Sequence, residues 1–211
     1  MSKLLPKSLY ANLMEEARYR VEAMDAALSG RISLPDMILE ELIYLQIRLL
    51  CEIVGLGCLI AHGDFTQHDL KKLRDEYDAD KIIKSLTPLS ATSFPEPVRI
   101  QVLPPGPGNP KGSVHIDEAP AGSALTKDEF LRLYGRTGNY LHRGKLRRLQ
   151  SRPPYSAVNL TQATECAKKT LGLLDQHRIR SPDNLRHWYC ALKGPDGKVM
   201  VFETLAPSSP P

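Results

Sequence analysis

The chain has 211 residues, of which 42% are hydrophobic and 25% charged, a balance that supports one sizeable core and excludes global disorder. Its 28 Lys and Arg against 24 Asp and Glu leave a net charge of +4, too small by itself to specify a nucleic-acid partner. The four cysteines form no Cys-x-x-Cys pair and the first twenty residues hold no continuous apolar run, which together point to a reducing, cytoplasmic setting.

Residues 8–28 predict a first helix. Leu9, Leu13, Ala17, Val21, Met24 and Leu28 recur at three- and four-residue steps, and Gly30 supplies the stop. Ser33, ahead of Leu34-Pro35-Asp36, then starts a second helix that runs over about 34–61. This segment is apolar on nearly every side and carries Gln46, Arg48 and Glu52 in its middle. Leu42–Ala61 has the length of a membrane span, but Arg48 and Glu52 near its centre would be costly in lipid, so it reads as the buried helix of a soluble bundle and no membrane is expected. Arg48 and Glu52 stand one turn apart. They either pair as an internal salt bridge that fixes helix docking or form the polar floor of a site.

Gly63 closes the second helix. Thr66 and Asp69 open a third, with Leu70, Leu73 and Tyr77 on one side and Asp80–Leu86 continuing helically. The composition then shifts: 87–124 is a Pro/Gly-rich insertion around the loop PPGPGNPKGS. Val98–Leu103 and Val114–Ile116 are extended pieces that form either a small hairpin (98–116) or a surface excursion without regular structure. Thr126-Lys127-Asp128-Glu129 is a capping box for a fourth helix carrying Phe130, Leu133 and Tyr134. A further helix is expected from about Ala157 to His177, with Leu160, Ala163, Ala167, Leu171 and Leu174 inward. HWYCALK and KVMVFETL, joined by GPDG, form a C-terminal β-hairpin.

The expected fold class is therefore mainly α. A helical bundle surrounds the buried helix, with the C-terminal hairpin appended and the second hairpin left open. The expected organisation is a bundle domain over 1–179, the hairpin over 180–206 and a disordered tail over 207–211.

Chemistry concentrates in the segment Arg132 to Arg152. It holds Arg132, Arg136, Arg143, Lys145, Arg147, Arg148 and Arg152 and no acid, a local anion-attracting field. Tyr134 and Tyr140 are interleaved and suit base stacking, while the plain alternative is a solvated basic surface near a helix C-terminus. Within the segment, Arg136 can hold a phosphate bidentately and His142 can move a proton near neutral pH, with Asn139 between them. Such a pair is the minimum for metal-independent RNA cleavage with the 2′-hydroxyl as nucleophile. His62, Asp64 and His68 lack a recognised ligand spacing and read as a polar loop, as does the stretch from His115 to Glu118. No Walker loop or other cofactor motif occurs, so neither metal nor cofactor is expected.

Arg136-Thr-Gly-Asn-Tyr-Leu-His142 resembles the Arg-x(4–6)-His motif of HEPN domains, and a helical bundle with a Glu-bearing inner helix suits that family. The likeness covers roughly Leu34–His62 and Thr126–Arg148. It implies RNA as partner and a ribonuclease site, composite across a homodimer, in which Arg136 binds the scissile phosphate and His142 acts as acid or base. Asn139 would assist, and Arg48 and Glu52 would buttress the site. It also implies a bacterial or phage setting in which an antitoxin or another protein partner can accompany the chain. Family members without catalysis bind nucleotides or partners only, so the alternative is a non-catalytic helical interaction protein with a basic binding surface.

Overall fold

Helix α2 (Asp36–His62) is the element on which the others are laid. In the computed structural model, which describes residues 6–63, 73–90, 92, 94–108, 110, 112–141, 158–182 and 184–205, four helices pack around it. They are α1 (Pro6–Leu28), α3 (Ala79–Leu86), α4 (Lys127–Leu141) and α5 (Leu160–Leu174). By length and composition α2 could cross a membrane, yet 61% of its most apolar window is buried within this fold. Ile43, Tyr44, Ile47, Leu50, Cys51, Val54 and Cys58 form its inward side. Gly63 caps it with φ 69° and donates its N–H to the Leu59 carbonyl.

Helices α1 and α2 run antiparallel. Tyr10 lies against Gly57, where an added Cβ would meet the ring at 3.1 Å, and Arg20 reaches Gln46 ten residues further along α1. Asp78 caps α3 by accepting from the Asp80 and Lys81 amides. The capping box at the start of α4 forms as expected: the Thr126 amide donates to Glu129 at 2.9 Å and the Glu129 amide donates to the Thr126 hydroxyl at 3.3 Å. Asn159 caps α5, and its own amide donates to the buried Glu40 carboxylate at 3.0 Å, which ties the start of α5 to α2.

The expected helical bundle with an appended hairpin is corrected by a curled five-stranded antiparallel sheet. Its strands are β1 (Glu96–Val102), β2 (Val114–Glu118), β3 (Gln176–Arg180), β4 (Arg186–Ala191) and β5 (Met200–Leu205), in the order β2-β1-β3-β4-β5. The pieces within 98–116 do pair as a hairpin, with Ile100 opposite Ile116, and the C-terminal hairpin forms as β4 and β5. What joins them is β3, which falls where a helix to His177 was expected. Helix α5 stops at Leu174 instead, and the 179/180 boundary falls inside β3. The sequence Gln-His-Arg-Ile-Arg conceals the strand because its buried face consists of one apolar residue and one histidine.

One face of the sheet covers the helices. His177, Ile179, Trp188, Cys190 and Val201 lie on it against the main core. His177 is fully buried. Its Nδ1–H donates to the Leu174 carbonyl at 3.0 Å, which leaves Nε2 to accept the Tyr10 hydroxyl at 2.5 Å. Burial holds its pKa down at about 4, so the ring is neutral. The opposite face encloses a second small cluster of Val98, Ile100, Tyr189 and Ala191, with Val114, Ile116, Met200 and Phe202 against it. Beside this cluster Glu96 pairs with both Arg178 and Arg180. Strands β1 and β3 share only two residue pairs, Glu96 with Arg178 and Pro97 with His177, after which the Gln176 side chain accepts the Ile100 amide.

Candidate functional site

Arg132, Arg136 and Asn139 stand at i, i+4 and i+7 on α4 and are exposed on one face of it. The helix forms here because the capping box starts it and Phe130, Leu133, Tyr134 and Thr137 turn inward. The intervening residues therefore face solvent together. Across from them α5 presents Gln162, Glu165, Cys166 and Lys169, and the two helices bound a cleft of about 620 Å³ floored by Leu125 and Leu133. Lys169 pairs with Glu129 at 3.0 Å near one end, and Tyr140 donates to Gln162 at 3.5 Å near the other.

The electrostatics of the cleft follow from which charges are already paired. Glu129 accepts from the Thr126 amide and from Lys169, and these hold its carboxyl down at about 2. Glu165 pairs with Lys168 at 2.9 Å. Among the described residues, neither Arg132 nor Arg136 lies within ion-pair distance of a carboxylate. Arg136 donates to the Cys166 thiol, whose pKa burial raises while Arg136 and Lys169 oppose the rise. A guanidinium with five N–H groups keeps most of them for an incoming anion.

Arg48 and Glu52 do not reach this cleft. Arg48 pairs with Glu52 at 3.3 Å, donates to the Tyr134 hydroxyl at 3.0 Å and to Thr137 at 3.5 Å, and sits over the Tyr134 ring at 4.5 Å. Tyr134 in turn donates to Glu52 at 3.3 Å. The pair thus docks α4 on α2 through the inward side of α4, opposite Arg136. The two tyrosines expected to stack on bases are engaged internally: Tyr134 is buried in this network, and Tyr140 stacks on Tyr44 with centroids 3.7 Å apart.

His142, Arg143, Lys145, Arg147, Arg148 and Arg152 lie outside the described residues, as do Asp64, His68 and the tail 207–211. His142 follows directly on Leu141, the last residue of α4. Among the described residues, no group of three or more His, Cys, Asp or Glu is placed to hold a metal ion. The α5 wall of the cleft was not foreseen: Gln162, Cys166 and Lys169 carry no motif, and only the i, i+4, i+7 spacing on a helix of known rotation would have aligned them. No protein-family model, curated protein or solved structure matches the chain.

Proposed function

We propose that the chain is a cytoplasmic, HEPN-like RNA-directed protein whose α4–α5 cleft receives an RNA phosphate, with Arg136 as its principal ligand. The observation that carries this reading is the exposure of Arg132 and Arg136 at the mouth of one cleft, free of carboxylate partners among the described residues. Asn139 shares their face, and the basic residues Arg143, Lys145, Arg147, Arg148 and Arg152 follow in sequence. In the catalytic form of the reading, the ribose 2′-hydroxyl attacks phosphorus and the bond to the 5′-oxygen breaks. His142 carries the proton between these oxygens, and Arg136 offsets the charge that builds on the phosphoryl oxygens. No metal takes part in these steps.

The non-catalytic reading also has an observation in its favour. Glu129 and Glu165 stand in the same cleft, and carboxylates suit a mixed-charge protein partner better than a polyanion. One experiment separates the two. Labelled single-stranded RNA is incubated with the full chain in EDTA, and both binding and cleavage are followed. Cleavage that is lost in His142→Ala, with binding weakened about tenfold in Arg136→Ala, supports the ribonuclease. Binding without cleavage limits the function to RNA recognition, and absence of both leaves the protein-interaction reading.

A further inference from the structure

Helix α2 ends against the β3–β4 turn, and the two enclose a cavity of about 420 Å³. That is near the low end of the range for small-molecule sites, roughly 300–1,000 Å³. Ile60, Ile179 and Trp188 wall it, and His62, Ser181 and Arg186 bring polar groups. The rest of its lining is proline, alanine and glycine, so among the described residues no carboxylate lines it. The Trp188 indole is held in place: Tyr10 packs on it with ring centroids 5.6 Å apart, and Tyr10 is itself tied to His177. Trp188 keeps 9% of its surface exposed, and its N–H meets no acceptor among the described residues. Arg186 stands two residues earlier on β4, on the same face of the strand. Its backbone is pinned to Ser181. The Ser181 amide donates to the Arg186 carbonyl at 2.9 Å, and the Arg186 amide donates to the Ser181 hydroxyl at 3.0 Å. The exposed Arg186 guanidinium makes no ion pair or hydrogen bond among the described residues.

We infer that this cavity binds a small aromatic carboxylate, with the acid on Arg186 and the ring against Trp188. The walls set the sign of the ligand, because a permanent cation without a carboxylate beside it favours an anion. One such cation matches one negative charge. A phosphate dianion would be left half-compensated among largely apolar walls, whereas a guanidinium offers the paired N–H groups that a carboxylate accepts. The apolar walls and the fixed indole suit a flat, apolar body, and a wall already in place costs little ordering on binding. Spacing sets the length. Residues two apart on a strand stand about 7 Å from each other, a separation that a ring and an acid joined by a short chain can span. The inference goes beyond the RNA reading and does not rest on it, because no lining residue is shared with the α4–α5 cleft.

Trp188 is the chain's one tryptophan, so tryptophan fluorescence reports on this cavity directly. The full chain is titrated with hydrocinnamate, with its uncharged amide and with phenyl phosphate. Hydrocinnamate is expected to change the emission saturably, with a Kd of about 1 mM or below. The amide on the wild type, and hydrocinnamate on Arg186→Gln, should each bind at least about tenfold more weakly. Arg186 is exposed, so its variant should keep the wild-type circular dichroism spectrum. Lys193→Gln, which removes an exposed charge beyond the other end of β4, should bind as the wild type does. A wild type without a saturable change overturns the inference, as does equal affinity for acid and amide or undiminished binding by Arg186→Gln. Phenyl phosphate bound about tenfold more tightly than hydrocinnamate would overturn the assignment to a singly charged acid.

Discussion

The buried pair of His177 and Tyr10 makes acid sensitivity a property of the joint between sheet and helices. Neutral His177 accepts the Tyr10 hydroxyl inside the core, and burial lowers its pKa from 6.5 to about 4. Below pH 6.5 the unfolded chain protonates this histidine while the folded chain does not. The unfolded state then binds more protons, and stability falls as pH drops from about 6.5 to about 4, then levels off for this group. At roughly 1.4 kcal/mol per pKa unit the full loss is about 3 kcal/mol. Urea unfolding at closely spaced pH values would measure it, with His177→Gln as reference. The variant keeps a polar partner for Tyr10 but cannot titrate, so the carboxylates and the other histidines contribute equally to both profiles. The wild type should lose about 3 kcal/mol more than the variant across that window. Parallel profiles would show that His177 is already solvated or charged in the folded state and would refute the reasoning.

Other substitutions probe the remaining joints. Gly172→Ala would drive a Cβ into the Ser123 carbonyl beneath α5 and should cost about 3 kcal/mol in chemical denaturation. Tyr134→Phe removes the hydroxyl that bridges Arg48 and Glu52 and should cost about 1 kcal/mol, while leaving the RNA affinity proposed for the cleft unchanged, because the network faces away from Arg136. Thr126→Ala strips the capping box from α4 and should lower stability by about 1 kcal/mol. Glu96→Gln leaves Arg178 and Arg180 side by side without their shared carboxylate, and a loss of about 2 kcal/mol is expected from thermal or urea unfolding.

Legibility from sequence tracked how local the signal was. The apolar run of α2, the Thr126–Glu129 box and the GPDG turn each lie within a few residues of their structural consequence, and all three are where they were expected. Strand β3 was hidden because its inward residues are His177 and Ile179, and the histidine is tolerable there only through Tyr10, 167 residues away in sequence. The same applies to Arg48. Its pairing with Glu52 one turn on was readable, but Tyr134, 86 residues downstream, settles which way the pair faces. In the cleft, the alignment of Arg132, Arg136 and Asn139 followed from helical spacing. The opposing wall required the packing angle of α5, which no short-range pattern encodes.

The narrow joint between β1 and β3 gives the sheet a weak line. Backbone pairing between β1 and β3 is limited to two residue pairs, and the Gln176 side chain, the Arg178 and Arg180 ion pairs and the packing of Val98 and Ile100 on Tyr189 and Ala191 supply the rest of the hold on the β1–β2 hairpin. Amide protons along β1 and β2 should therefore exchange with deuterium well before those of β3 and β4, through the hairpin swinging out as a unit while the other strands stay shut. Each such opening uncovers Tyr189, Ala191, Met200 and Phe202 together, an apolar patch that reaches β5, the edge strand of the sheet among the described residues. Under stress, self-adhesion would begin at that patch, long before the helices come apart.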